Sequence, residues 1–143
     1  MKADAKTEAE VMDVVRQCFE AFTRRDLDGF SSFFAPDPDV VLIGTGSDEK
    51  CIGLAEIKAI IGRSFTQFED ANFEFGWRSV SAADSVAWLA ADVILNVKTS
   101  SRELRQPLRL TCVMEKRGNR WLIVQAHDSL PAAGQKEGEA FSA

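Results

Sequence analysis

The sequence predicts an α+β fold, with helices gathered in the first half and laid against one face of an antiparallel sheet supplied by the second. Three observations carry this. Apolar residues recur at helical spacing before residue 69, β-branched and apolar residues dominate long extended segments after residue 71, and Gly118-Asn119 has the composition of a tight hairpin joining two of those segments.

The elements follow in order. Thr7-Glu8-Ala9-Glu10 reads as a capping box, and Val11, Val14, Val15, Cys18, Phe19 and Phe22 then form one apolar stripe, which predicts a helix over 8–23. Arg24-Arg25-Asp26-Leu27-Asp28 turns the chain into a short helix over 29–34, with Asp26 and Asp28 as its caps and Pro36 and Pro38 beyond its end. Val40 to Ile43 is a short strand closed by Gly44-Thr45-Gly46, a plain turn too short to cradle a phosphate. Gly53 opens a third helix whose Leu54, Ile57, Ile60, Ile61, Phe65 and Phe68 share a face. Strands are predicted over 72–80, 85–99, 102–116 and 121–129. Residues 1–131 make a single domain, and the small, polar segment 132–143 is expected to be a mobile tail.

Composition narrows the function. The chain has 143 residues, 45% of them hydrophobic and 27% charged, enough for one domain with a pocket. Its net charge of −5 leaves no surplus of Lys and Arg to neutralise phosphates, so nucleic acid is not an expected partner. Three widely spaced cysteines suit buried free thiols in a reducing compartment, with Cys51, beside Lys50, as the one candidate for a functional thiol. A single histidine and the lack of any Cys-x-x-Cys pair speak against a structural zinc site, and no cofactor is called for. Neither a signal-like apolar core near the start nor a membrane-length apolar run is present, so a cytoplasmic protein without a membrane partner is expected.

Several stretches resemble a known family. Phe22-Thr-Arg-Arg-Asp26-Leu-Asp28-Gly-Phe30, Asp39-Val-Val-Leu-Ile-Gly44 and Gly53-Leu-Ala-Glu-Ile57 are similar to the first half of the nuclear transport factor 2-like superfamily. Val86-Ala-Trp88, Leu108-Arg109-Leu-Thr111-Cys-Val113 and Trp121-Leu-Ile-Val-Gln-Ala-His127-Asp-Ser-Leu-Pro131 resemble its SnoaL-like group, which includes polyketide cyclases and has ketosteroid isomerase as a relative. The resemblance spans about residues 8 to 131. It implies a cone-shaped (cystatin-like) curved antiparallel sheet wrapped around three N-terminal helices, with a pocket at the wide end. It leaves the chemistry open, because this fold hosts enzymes and scaffolds alike. Steroid isomerisation by the family's known mechanism is not expected: the chain contains no tyrosine, and Leu42 falls where the aspartate base would stand.

The two-residue period of strands sorts each into two sets. One collects Ala87, Leu89, Ala91, Val93 and Leu95, then Leu110, Cys112 and Met114, then Leu122, Val124, Ala126 and Asp128. The other collects Trp88 and Asp92, then Arg109, Thr111 and Val113, then Trp121, Ile123, Gln125, His127 and Ser129. If the apolar sets face the helices, the mixed sets are a solvated surface. If the mixed sets face inward, they line a pocket, and the apolar sets require a partner on the outer face. The second assignment is preferred, since two tryptophans are poorly placed on a solvated face and family members commonly dimerise through the outer sheet face. It makes His127 a proton carrier oriented by Asp92, with Arg109 stabilising an anion, against the competing reading of Asp92 and Arg109 as a structural ion pair. Trp77, Trp88, Thr111, Gln125 and Ser129 complete the candidate ligand site, Trp77 sharing an alternation with Phe73 and Phe75.

Two functions are therefore expected in competition. One is a small-molecule-binding protein or cofactor-independent isomerase, cyclase or dehydratase, acting by proton transfer on an apolar, carbonyl-bearing or carboxylate ligand. The other is a non-catalytic homodimerisation module whose pocket has closed. A cavity containing His127 and Arg109 would favour the first, and one filled by Phe19, Phe22, Trp77 and Trp88 the second.

Overall fold

A computed structural model describes residues 1–141 and shows α1 (Ala5–Thr23), α2 (Leu27–Ser32), β1 (Val41–Ile43), β2 (Lys50–Ile52), α3 (Leu54–Phe65), β3 (Asp70–Ala83), β4 (Val86–Lys98), β5 (Glu103–Arg117) and β6 (Arg120–Ser129). The strands form one curved, open sheet in the order β2-β1-β6-β5-β4-β3. Its pairings are antiparallel except that β1 runs parallel to β6. The N-terminus adds to the β3 edge: Ala3 N–H donates to Val80 O at 3.1 Å, and Ala82 N–H donates to Met1 O at 2.9 Å. Residues 130–141 carry no helix or strand, and the last two residues of the expected tail lie outside the described residues.

The helices start where side chains can satisfy free N–H groups. Asp4, not Thr7, caps α1, accepting from Thr7 N–H at 2.8 Å, so the helix begins three residues earlier than the capping box suggests. Glu10, freed from that role, accepts a hydrogen bond from the indole Nε1 of buried Trp121 at 2.9 Å and ties α1 to β6. That bond holds the Glu10 carboxyl below the usual range, aided by Lys116. Asp26 caps α2 through Gly29 N–H at 2.9 Å, as expected, which moves that helix two residues earlier.

The core lies between the helices and one sheet face. Val11, Val15 and Cys18 of α1, Ile57 and Ile61 of α3, and Leu89, Val93, Leu110, Cys112 and Met114 of the sheet are all buried together. The apolar strand sets thus face the helices, and the preferred sequence assignment is reversed.

Two β-bulges complete the reversal. In β6, Val113 pairs with Gln125 and Met114 with Ile123, so Val124 is an extra residue that shifts the alternation by one. On one side of it Trp121 and Ile123 point into the core; on the other, Ala126 and Asp128 do, and Gln125 and His127 point out. Two segments meet β6 at this place. Ile123 exchanges backbone bonds with Phe33 and Ala35, and β1 pairs with Gln125 to His127. In β3 a second irregularity at Gly76-Trp77 lets Phe73 and Phe75 pack against Phe19 but turns Trp77 outward, 60% exposed.

Candidate functional site

The unbroken alternation of β4 and β5, together with the bulges in β3 and β6, decides where each expected site residue goes. His127, Asp92, Arg109, Thr111 and Gln125 are exposed, and Trp88 and Ser129 lie partly covered on the same outer face. Thr111 and His127 are opposite neighbours there, as are Asp92 and Arg109. Arg109 does not serve the pocket: its guanidinium donates to Ser129 Oγ at 3.2 Å and to Leu130 O at 3.5 Å. The proposed proton carrier, its orienting acid and its anion stabiliser therefore share a surface, not a cavity. Trp77 is likewise outside.

The reason for expecting a partner also changes. It rested on apolar sets facing outward, and those sets are inside. Trp77 and Val86 are the large apolar side chains left exposed on the outer face of β3 and β4.

Between the helices and the inner face is a cavity of about 120 Å³. Phe19 and Phe22 of α1, Phe30 of α2, Phe34, Leu110 and Ile123 form most of its apolar wall, with the thiols of Cys18 and Cys112. Aromatic contacts fix the wall: Phe30 lies 5.4 Å from Phe34 and 6.2 Å from Phe22, centroid to centroid. This cavity contains neither His127 nor Arg109, and it is not filled as the scaffold reading required, since Phe19 and Phe22 line the space and Trp77 and Trp88 are on the far side of the sheet.

One ionised-type group enters this wall. Asp128, placed inward by the Val124 bulge, has a buried Oδ1 with no hydrogen-bond partner. Burial pushes its carboxyl up to about 7, and the nearby Glu49 charge adds to the shift. A carboxyl with that midpoint is half protonated at neutral pH and can give or take a proton. The adjacent thiols differ: burial pushes both Cys18 and Cys112 upward, keeping them protonated. Cys51 is also buried with its thiol raised, which removes it as a reactive thiol.

Sequence reasoning set Asp128 aside on the wrong face. The available signal was its place as the one acidic residue in an otherwise apolar strand set, Leu122, Val124, Ala126 and Asp128.

A second chamber, of about 190 Å³, adjoins the first and shares Phe22, Leu42, Ile61, Leu95, Leu108 and Asp128 with it. Its remaining wall brings Thr45, Glu49 and Ser64. Glu49 reaches this place because Gly44 and Gly46 have no side chains. A Cβ at Gly44 would collide with Glu49 Oε2, and one at Gly46 would lie 2.9 Å from Oε1. Among the described residues, no group of three or more His, Cys, Asp or Glu could hold a metal ion, and no helix is long and apolar enough to cross a membrane.

Comparison with known proteins agrees with this architecture. The model of the SnoaL-like domain matches residues 11–133. Among solved structures, a nuclear transport factor 2-like superfamily protein from Salmonella enterica serovar Typhimurium is similar with a TM-score of 0.83 at 16% identity, covering 97% of this chain and 100% of that one. A proposed aromatic ring hydroxylase from Novosphingobium aromaticivorans gives 0.81 at 15% identity, covering 92% and 93%. A proposed dehydratase of the nuclear transport factor 2-like family from Streptomyces avermitilis gives 0.80 at 18% identity, covering 91% and 100%. No curated protein matches the chain.

Proposed function

The chain belongs to the SnoaL-like domain family, and we propose that it binds a small, largely apolar molecule in the phenylalanine-lined cavity, where Asp128 exchanges a hydrogen bond or proton with it. The observation that carries this reading is the buried, unpartnered Asp128 Oδ1 in an apolar wall. Leaving a carboxyl there costs stability that an apolar side chain would not, and such groups cluster where they contact ligands. Size agrees: a single aromatic ring occupies an engineered cavity of about 150 Å³ in a well-studied protein, close to the inner chamber alone.

The similarity to structures named as a dehydratase and a hydroxylase supports small-molecule chemistry in general terms. The walls do not offer the fixed donors that would stabilise an enolate, so the reading assigns one proton-exchanging group and no oxyanion hole. Self-association through the outer face is a separate part of the reading, supported by exposed Trp77 and checked by light scattering.

The test is calorimetric titration with p-cresol, a neutral single-ring probe bearing one hydroxyl. Saturable binding to the wild type, lost in Ala126→Leu with its circular dichroism intact, is the expected result, because Ala126 lines the cavity and added methylenes fill it. Absence of saturable binding, or equal binding by the filled variant, would sink the reading.

A further inference from the structure

The two chambers have an asymmetric charge inventory. Their lining contains the carboxylates of Asp128 and Glu49, thiols that burial keeps protonated, and no Lys, Arg or His. Arg63 on α3, the cation paired with Glu49, is not in the lining and is also engaged by Asp48, at 3.7 Å from Glu49 and 2.7 Å from Asp48. Two carboxylates thus share one guanidinium outside, and the chambers themselves hold acidic groups with no cation in their lining.

We propose that the joined chambers select a small hydrophobic amine: one ring in the phenylalanine-lined chamber and a protonated nitrogen against Asp128, beneath Glu49. This deepens the small-molecule reading above and rests on it. An ammonium supplies what Asp128 Oδ1 lacks, both N–H donors and opposite charge, and so offsets the burial of the carboxylate. Phe22, which lines both chambers, puts an aromatic ring beside the junction. A carboxylate ligand would meet two like charges and no counter-ion, which argues against the carboxylate half of the sequence expectation. Gly44 and Gly46 contribute by leaving the space through which Glu49 lies over the outer chamber.

The proton balance gives the site a signature. The groups facing Asp128 are Cys18 from α1, Cys112 from β5 and Glu49 from the β1–β2 loop, with Arg63 from α3 behind Glu49. Both thiols stay protonated through the neutral range, so the proton that responds is that of Asp128. Below its midpoint near 7, binding an ammonium releases that proton to solvent. The ionised fraction falls about tenfold from pH 8 to pH 6, and the apparent affinity for a cation falls with it.

The experiment compares three probes of one shape, 2-phenylethylamine, 2-phenylethanol and phenylacetate, by calorimetry at pH 8 and pH 6. The expected result is that the amine binds at least about tenfold tighter than the other two at pH 8 and weakens about tenfold at pH 6. Asp128→Asn is expected to bring the amine down to the alcohol, and Glu49→Gln to weaken the amine more than the alcohol. If the alcohol binds as well as the amine, or the amine is indifferent to pH, the amine assignment falls and the cavity reading stands. If none of the three binds while p-cresol does, only the amine assignment falls; if p-cresol fails as well, both fall.

Discussion

The two faces of this sheet hold opposite arrangements of polar groups. The outer face displays Asp92, Arg109, Thr111, Gln125 and His127 together, within reach of water and of each other. The inner face holds Asp128 among phenylalanines, leucines and thiols. By residue type the outer face looks like an active site, yet water screens its charges and Arg109 is engaged by Ser129 and Leu130. The inner carboxyl has neither, and its protonation moves to neutral pH for that reason. Polar residues gain chemical leverage from what is withheld from them, and their number on a face is a poor guide.

The largest perturbation of this contrast is deletion of Leu122. β6 then lacks one residue between the hairpin and the Val124 bulge, so Trp121 turns out of the core or, if the bulge closes to compensate, Ile123 does. We expect insoluble protein or a loss of more than about 3 kcal/mol in chemical denaturation. Native-like stability would show that alternation ahead of the bulge does not set the two faces.

Next in size is Asp128→Leu. The folded carboxyl titrates near 7 and the unfolded one near 4, so between those values the folded state holds the extra proton and stability falls as pH rises. Above 7 the full cost remains. The variant should therefore be more stable than wild type by on the order of 2 to 4 kcal/mol at pH 8, a gain that shrinks toward pH 4. A variant less stable at pH 8 than at pH 5, relative to wild type, would contradict the burial argument.

The smallest effect is expected from His127→Ala on the exposed side. Its unfolding midpoint should stay within about 0.5 kcal/mol of wild type, with probe binding in the cavity unchanged. Loss of binding here would return the site to the outer face.

Much of the architecture was legible from local pattern. The stripe from Val11 to Phe22 and the one beginning at Leu54 predicted two helices, although Phe68, placed on the second stripe, lies beyond the end of α3 at Phe65; Asp26 was found as a cap, and Gly118-Asn119 as a hairpin. The site was not legible, because on β4 and β5, paired without a shift, the tryptophan argument chose the wrong face, and on β3 and β6 the alternation itself breaks. Alternation carries a face assignment only as far as the next bulge, and Val124 and the Gly76-Trp77 step each shift it by one. Neither has a strong local signature, because each arises from pairing with distant chain: residues 33–35 and 41–43 for β6, and β4 for β3. The tryptophan argument failed for a related reason. Trp121 is buried by its bond to Glu10, and Trp88 tolerates the outer face beside Ser81.

The outer edge of β3 is guarded in two ways. Its end near Ser79 and Ser81 is covered by Met1 to Ala3, paired as a short additional strand. Its other end shows Asp70, Asn72 and Glu74 to solvent, and charge there discourages an approaching strand. One half of the edge is thus protected by a tether and the other by repulsion. A fusion partner or tag attached ahead of Met1 would act first on the tethered half, so sheet-to-sheet association, before any loss of the cavity, is where such an alteration would be felt.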